Sequence, residues 1–495
     1  MRAISEDAVS RHAFERIFNP GSVAVMGVSS KGGMFGTGIL SALKAIGFAG
    51  DLYAVNPRGG KYAGMKIYTS LAEIPGPVDF AIIAVPAERV PAALRECRDR
   101  GVAGAEILSA GFSELGTRDG MRLEQEIREI ASGGIRVVGP NCFGIYCPQS
   151  GLTLLPGPDL SRESGPVGFI SQSGGMSIDF AHIGKWMGIG FSKMVSFGNG
   201  ADLRETELLA YLGDDPRTRV IGMYIEGVRD GENFFRVLKD VAARKPVVIN
   251  KGGLTEAGSR AVQSHTASLG GSRRIWEAAL RQAGAVQVED IWEMARTCLA
   301  FSLLPPGVYT NITVAGGGGA LGVNACDIAE LHGLNIPPLE PELSSAILEH
   351  LPRPGSSARN PIDAANPFVG PQAYREVFLN AAGDPRVDVQ ILIQLLHHYK
   401  SLSSAMGLTS PKEVAPYRQL AGEMKEVADI TGKPLMLVLP DFKQGMESMD
   451  IEEMIREARD IFLDRGIPVF DDLGDCLRAL GHVSRYYAGR KARGL

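Results

Sequence analysis

At 495 residues the chain has the length of about three domains, each long enough to bury its own core. Its 51 Lys and Arg against 56 Asp and Glu leave a net charge of −5, which excludes a global basic field for nucleic acid or anionic lipid. Its 61 glycines follow no three-residue period and its six cysteines form no paired Cys-x-x-Cys pattern, which excludes collagen, a disulfide scaffold and a zinc ribbon and points to a reducing, cytoplasmic setting.

The N-terminal stretch carries acids and has no continuous apolar core, so neither a signal peptide nor a membrane span is expected there. From Ser22 to about Ile145, short β-branched runs (SVAVMGV, DLYAVNP, DFAIIAVP, GAEILSAG, IRVVGP) alternate with amphipathic stretches, the pattern of a doubly wound parallel sheet. Residues 148–165 are rich in Pro, Gly and Ser and read as a linker. A second α/β unit runs from Gly165 to about Leu304, with strands at VGFIS, FSKMVSF, RVIGMYIE, KPVVINK and AVQV. A third opens at Asn311 with ITVAGGGGALGV, and has strands at VDVQILIQLL and KPLMLVLP and a last helix from about Leu473. The expected class is therefore α/β, three consecutive doubly wound units over residues 1–147, 148–306 and 307–495. Units two and three share a strand running into a small-residue turn, then Asp-Pro-Arg, then Lys-Pro, which makes related folds the economical reading.

Strand one runs into a glycine-rich turn, Gly27-Val28-Ser29-Ser30-Lys31 through Gly36, whose backbone N–H groups and following helix N-terminus suit a phosphate. The G-x-G-x-x-G spacing of a dinucleotide site is absent, and strand two ends in Asn56-Pro57-Arg58 with Lys61 nearby, not in an acid. A basic strand end suits an extra ribose phosphate, as in NADP or the 3′-phosphate of coenzyme A. No G-x-x-x-x-G-K-[ST] loop occurs, so no Walker-type ATP site is visible.

Lys245 to Ser272 reads as an apolar strand ending at Asn250 and then a long loop of small residues carrying His265. Imidazole is an effective phosphoryl acceptor near neutral pH, and a carboxylate on its other nitrogen fixes the tautomer. Glu226, at the end of the preceding strand, is the candidate carboxylate, and ligand sites of open α/β sheets gather at those strand ends. A phosphohistidine must be stabilised without water, which free helix N–H groups do. Two turns have the composition for this, one being Ser171-Gln172-Ser173-Gly174-Gly175 and the other Gly316 through Gly319 with Gly317 and Gly318 between them.

Taken together, SHTASLGGS (264–272), RVVGPNCFGI (136–145), GFISQSGG (168–175), YIEG (224–227), AVNP (54–57), AVPAERVP (84–91) and SAGFSE (109–114) resemble the α chain of the ADP-forming acyl-CoA synthetases, in the succinyl-CoA synthetase superfamily. The resemblance covers nearly the whole chain from about Phe18. It implies a Rossmann-like CoA-binding domain followed by two flavodoxin-like domains. CoA would be bound by the Gly27–Gly36 turn, Asn56, Pro57, Arg58, Val85, Pro86 and Asn141; His265 would be the transient phosphohistidine, oriented by Glu226; and the helices starting near Ser173 and Gly319 would bind phosphate. The reaction implied is acyl-CoA + ADP + phosphate ⇌ carboxylic acid + ATP + CoA. ADP or ATP with Mg²⁺ would be held mainly by an ATP-grasp β subunit, most simply in an α2β2 assembly. The family loop usually reads S-H-T-G-x-L-A-G, where this chain has Ala267 and Gly270; both stay small.

Cys142 and Cys147 read as structural, His397 and His398 as exposed strand-end residues, and DDLGDC (471–476) as the cap of the final helix. Two other functions compete: a CoA-binding regulatory chain without turnover, and an NADP oxidoreductase. The first glycine-rich turn and the histidine segment disfavour the oxidoreductase, and the joint presence of His265, Glu226 and both small-residue helix starts favours the enzyme.

Overall fold

The computed structural model describes residues 13–33, 35–154, 160–266 and 272–495, with the backbone alone over 263–266. Within the described residues the strands form three sheets. The first comprises β1 (Ser22–Met26), β2 (Asp51–Val55), β3 (Gly60–Tyr62), β4 (Met65–Tyr68), β5 (Phe80–Ile83), β6 (Gly104–Ile107) and β7 (Arg136–Val138), in the order 3-4-2-1-5-6-7. The second comprises β8 (Gly144–Tyr146), β9 (Ser164–Ser171), β10 (Phe191–Ser196), β11 (Val220–Ile225), β12 (Val247–Lys251) and β13 (Val286–Val288), in the order 13-12-11-9-10-8. The third comprises β14 (Ile312–Gly316), β15 (Ile362–Asp363), β16 (Val389–Ile393), β17 (Leu435–Val438) and β18 (Val469–Phe470), in the order 15-14-16-17-18.

Pairing is parallel except for β3 against β4 and β8 against β10. Central strands such as β1 and β16 are buried at every position, because helices cover both faces of a parallel sheet. This is why their sequences read as mostly apolar runs, with Ser22 and Gln390 buried among them. The helix Phe35–Ile46 buries Ile39, Leu40, Leu43 and Ile46, spaced three and four apart along one stripe.

The chain divides into two compact units, one ending at Cys298 and the other spanning Leu299–Leu495. The first two sheets share a continuous core in which Val25, Ile82 and Ile145 join Ile170, Val195 and Ile221. Strand β8, only six residues beyond β7, already belongs to the second sheet, where Gly144–Tyr146 pairs with Met194–Ser196. The second unit has its own core, built on Phe378, Leu392, Met424, Leu437 and Phe462.

One segment departs from expectation. The long loop expected to carry His265 is a helix over Glu256–Thr266. Thr255 accepts from the Gly258 N–H at 3.0 Å and Arg260 pairs with Glu256 at 2.8 Å, so a side-chain cap and an i,i+4 pair start a helix that the small residues alone do not advertise. The expected linker at 148–165 lies partly outside the described residues; β9 begins within it, at Ser164. Among the described residues no helix is long and apolar enough to cross a membrane.

Candidate active site

In the first unit the candidate residues gather at the C-terminal edges of the first two sheets, where strand carbonyls and helix N-termini are unpaired by construction. Gly27 sits at φ +103°, and a Cβ there would lie 2.2 Å from the Ala84 carbonyl oxygen. Gly36, opening the next helix, approaches the Gly27 carbonyl so closely that its own Cβ would fall 2.8 Å away. The turn is held open by Ser29, whose N–H donates to Thr37 Oγ1 at 2.9 Å and whose hydroxyl accepts from the Lys31 N–H at 3.2 Å. Asn56 Oδ1 accepts from the Arg58 N–H at 3.0 Å, and the turn after it packs Gly60 against Ser30. The structure thus brings Ser30 to the Asn56-Pro57-Arg58 strand end, with Lys31, Arg58 and Lys61 exposed around it. That is a positively charged corner for a phosphate.

From this corner a row of strand ends runs across the sheet. The side chain of Val85 lies against Gly27, Ser109 Oγ donates to the Val85 carbonyl, and the Asn141 N–H donates to the Ser109 carbonyl at 2.9 Å. Asn141 has a left-handed backbone, φ +56°. Beside Pro86 opens a cavity of about 580 Å³, lined by Ala87, Gly111, Leu115 and Arg122. Cys142 is buried, with its thiol donating to the Ile107 carbonyl at 3.3 Å, and burial first of all pushes its ionisation upward, so it is a structural thiol and not a nucleophile.

The second sheet supplies the other half. Gly174, first residue of the helix Gly174–Met187, lies against the Phe143 ring, which puts the Ser171–Gly174 turn beside the Asn141 turn. Ser173 caps this helix, accepting from the Met176 N–H, and Ser171 Oγ accepts from the Ser173 N–H at 3.1 Å. Between the two serines, the buried Gln172 presents Oε1 to the N–H groups of Glu226 at 2.9 Å and Gly227 at 3.2 Å. One side chain therefore fastens the serine turn to Glu226.

Glu226 is 4% exposed. Tyr224 Oη donates to Glu226 Oε1 at 3.2 Å, and Lys251 Nζ donates to the Glu226 carbonyl at 2.8 Å. Burial pulls the Lys251 ammonium down to about 8, against the nearby Glu226 charge, which raises it; the Trp276 ring lies 5.2 Å from the same nitrogen. Lys251 is followed by Gly252, which fits under Tyr224, and by Gly253 at φ +76°, which fits against Val262 of the helix carrying His265. The root of that helix is thus packed beside Glu226, and the helix also packs against the turn Ser113–Leu115. His265 lies in its last turn, with its side chain outside the described residues.

In the second unit, β14 ends in Gly316 and runs through Gly317 to Gly318, φ +103°, which precedes the helix Gly319–Leu331. Having no side chain, Gly318 leaves the first N–H groups of the helix without a side-chain cap. They border a cavity of about 250 Å³ whose wall includes Asp363, its carboxylate close beside Gly319.

His397 is a correction. It is buried, not exposed, with its ring tilted against that of His398 and edge-on to Phe442, and burial pushes its imidazole down to about 4. Asp472 caps the final helix as expected, accepting from Gly474 and Asp475. Among the described residues no group of three or more His, Cys, Asp or Glu side chains is placed to hold a metal ion. Gln172, Tyr224 and Lys251 lie inside the runs quoted from the sequence but carry no role there, and Asn199 is marked only by the glycines on either side of it.

Residues 21–148 match the model of a CoA binding domain, and residues 164–301 that of a succinyl-CoA ligase like flavodoxin domain. The chain is 35% identical over 479 residues to the acetate–CoA ligase [ADP-forming] I subunit alpha of Pyrococcus furiosus, covering 96% of this chain and 98% of that one. It is 35% identical to acetate–CoA ligase [ADP-forming] I of Archaeoglobus fulgidus, but spans 63% of that longer protein. The structure of acetyl-coenzyme A synthetase 1 of Ca. Korarchaeum cryptofilum, solved with phosphate and ADP, superposes with a TM-score of 0.82 at 30% identity, over 97% of this chain and 99% of that one.

Proposed function

The chain belongs to the ADP-forming acyl-CoA synthetase family as an α subunit, and from that premise we propose that it carries the thioester and histidine steps of acyl-CoA + ADP + phosphate ⇌ carboxylic acid + ATP + CoA. The phosphate of CoA sits at the corner formed by Ser29, Ser30, Lys31 and Arg58, and the thiol arm follows the row Gly27, Val85, Pro86 and Asn141. Inorganic phosphate, held at the turn of Ser171, Ser173 and Gly174, attacks the thioester carbonyl; the carbon–sulfur bond breaks and CoA leaves as the thiolate. His265 then attacks phosphorus, the acyl carboxylate leaves, and Glu226 takes the proton-bearing side of the imidazole. Holding the groups in place and stabilising charge supply most of such a transfer.

The observation that carries this reading is the pair of hydrogen bonds that Gln172 Oε1 accepts from the N–H groups of Glu226 and Gly227, which ties the phosphate turn to the strand end bearing the orienting carboxylate. The turn Gly317, Gly318 and Gly319 receives the phosphoryl group's charge at a second helix N-terminus. ADP, with its Mg²⁺, is held by an ATP-grasp β subunit, most simply in an α2β2 complex in the cytoplasm. We retain three domains, 1–147, 148–306 and 307–495, the first for CoA and one for each of the two phosphate turns.

The test is labelling of the purified chain with radioactive phosphate and a panel of acyl-CoAs. We expect label that is lost in acid, survives base and is absent from His265→Ala. A wild-type chain that stays unlabelled with every acyl-CoA, with the β subunit added, overturns the reading and leaves a CoA-binding regulatory chain.

A further inference from the structure

Asn199 follows β10 in a turn so tight that a Cβ on Gly198 would fall 2.2 Å from the Asn141 carbonyl oxygen. Its amide nitrogen donates to Glu114 Oε2 at 2.6 Å and to Glu124 Oε2 at 2.9 Å, with Ser113 Oγ farther off at 3.4 Å. Ionised carboxylates only accept, and an amide nitrogen has two hydrogens, so both are committed. Both acids also have partners of their own. Glu124 meets the Arg128 guanidinium, and Glu114 also accepts from the N–H groups of Gly111 at 2.6 Å and Phe112 at 3.1 Å. Burial acts to raise the Glu114 carboxyl, but its hydrogen bonds outweigh burial and hold it below the usual range.

With its nitrogen fixed on the acids, Asn199 must turn Oδ1 the other way, and there Asn141 Nδ2 stands 3.3 Å off. The orientation of Asn141 follows. Its NH₂ points inward at Asn199 and its carbonyl oxygen is turned away. The two asparagine amides differ little in shape end for end, so without Asn199 either end of Asn141 would serve.

We propose that Asn199 is a positioning residue for the thioester substrate: acting through Asn141, it makes the end of the Gly27–Val85–Ser109–Asn141 row an obligate hydrogen-bond acceptor, which selects a ligand N–H such as an amide of the pantetheine arm. This rests on the placement of CoA along that row. Glu114 and Glu124 set the polarity, Asn199 transmits it and Asn141 displays it. The turn Ser113–Leu115, against which the His265 helix packs, belongs to the same network.

A double-mutant cycle read by calorimetric titration with CoA tests it. Asn141→Ala is expected to weaken CoA about tenfold, the scale of one buried hydrogen bond. Asn199→Ala should cause most of that loss in the wild-type background and less than about twofold further loss in Asn141→Ala. Glu114→Gln is the second variant, in case Asn199→Ala does not fold. Its amide can give an N–H to Asn199, letting that side chain and Asn141 reverse, so it should also weaken CoA in the wild type and leave Asn141→Ala unchanged. Folding is checked by thermal midpoint. Equal losses in both backgrounds, or undiminished CoA affinity in folded Asn199→Ala and Glu114→Gln while Asn141→Ala is weakened, overturn the positioning role alone. If Asn141→Ala binds CoA as tightly as the wild type, the placement of CoA along the row is itself wrong, and the inference falls with it.

Discussion

At the scale of single residues, the structure shows polar groups whose roles depend on what they are buried against. Glu106, on β6 of the first sheet, is 1% exposed and accepts a hydrogen bond from the Ile145 N–H at 3.0 Å. It faces Gly144, φ +87°, where a Cβ would lie 2.4 Å from the carboxylate, and its charge lies near the Cys142 thiol. Burial pushes the Glu106 carboxyl up to about 8. Between the ordinary carboxylate range and pH 8 the folded protein therefore holds a proton that the unfolded chain has lost, and stability falls as pH rises through that window. A shift of this kind is worth on the order of a few kcal/mol. Glu106→Gln keeps an acceptor for Ile145 and cannot ionise, so its melting temperature should match the wild type near pH 5 and exceed it by several degrees near pH 8.5, at roughly 2–4 °C per kcal/mol. A constant difference across pH would show that the carboxyl is not protonated in the folded state. None of this was legible in GAEILSAG, where Glu106 reads as an ordinary polar residue in a strand. The burial of His397 was hidden for the same reason, since the residues that cover a side chain are remote in sequence.

At the scale of elements, the strands were legible because parallel strands covered on both faces are buried at every position and so mostly apolar, as β1, β5, β14 and β16 are. The three-residue strands β3 and β8 were not, being too short to show a period and held by their partners. The helix carrying His265 was missed because Gly258, Ser259, Ser264 and Thr266 lower helix propensity while its cap and ion pair are single-residue signals. Glycine-rich turns were found, but which glycines are obligatory was visible only in the structure. Gly27 and Gly33 both have positive φ, yet a Cβ on Gly27 would collide with the Ala84 carbonyl whereas one on Gly33 meets nothing within 4 Å. Gly33→Ala should cost only the left-handed backbone penalty, about 1–2 kcal/mol, and leave CoA affinity near wild type. Gly27→Ala must also move β1 from β5 at the mouth of the site, and should weaken CoA at least tenfold while lowering the melting temperature further. Titration with CoA and thermal melts of the two variants check this; equal effects would place the ligand away from the Gly27 turn.

At the scale of the whole molecule, the two compact units carry matching small-residue turns at helix starts, Ser171–Gly174 in the first and Gly316–Gly319 in the second. The sequence announced this duplication through matching strand–turn–helix openings, but it did not announce that the first two sheets share one core, because that continuity is made by β8 and by side chains remote in sequence, such as Ile145 and Val195 on paired strands. The two helix starts suit phosphoryl groups, and neither is a nucleotide loop of the Walker type. The longer relative from Archaeoglobus fulgidus extends well beyond the 63% of its length that this chain spans, whereas the Pyrococcus furiosus relative, 98% covered, is named as a subunit. From this follows a division of the reaction that can be measured. The purified chain, given acyl-CoA and radioactive phosphate, should take up at most one label per chain in a single burst, releasing CoA and acid in equal amount. Adding ADP should then leave the label on the protein. If the histidine step and the nucleotide step are divided between chains as proposed, adding ADP together with the β subunit should move the label into ATP and start continuous turnover. Formation of ATP by the isolated chain would place a nucleotide site within these 495 residues and refute that separation.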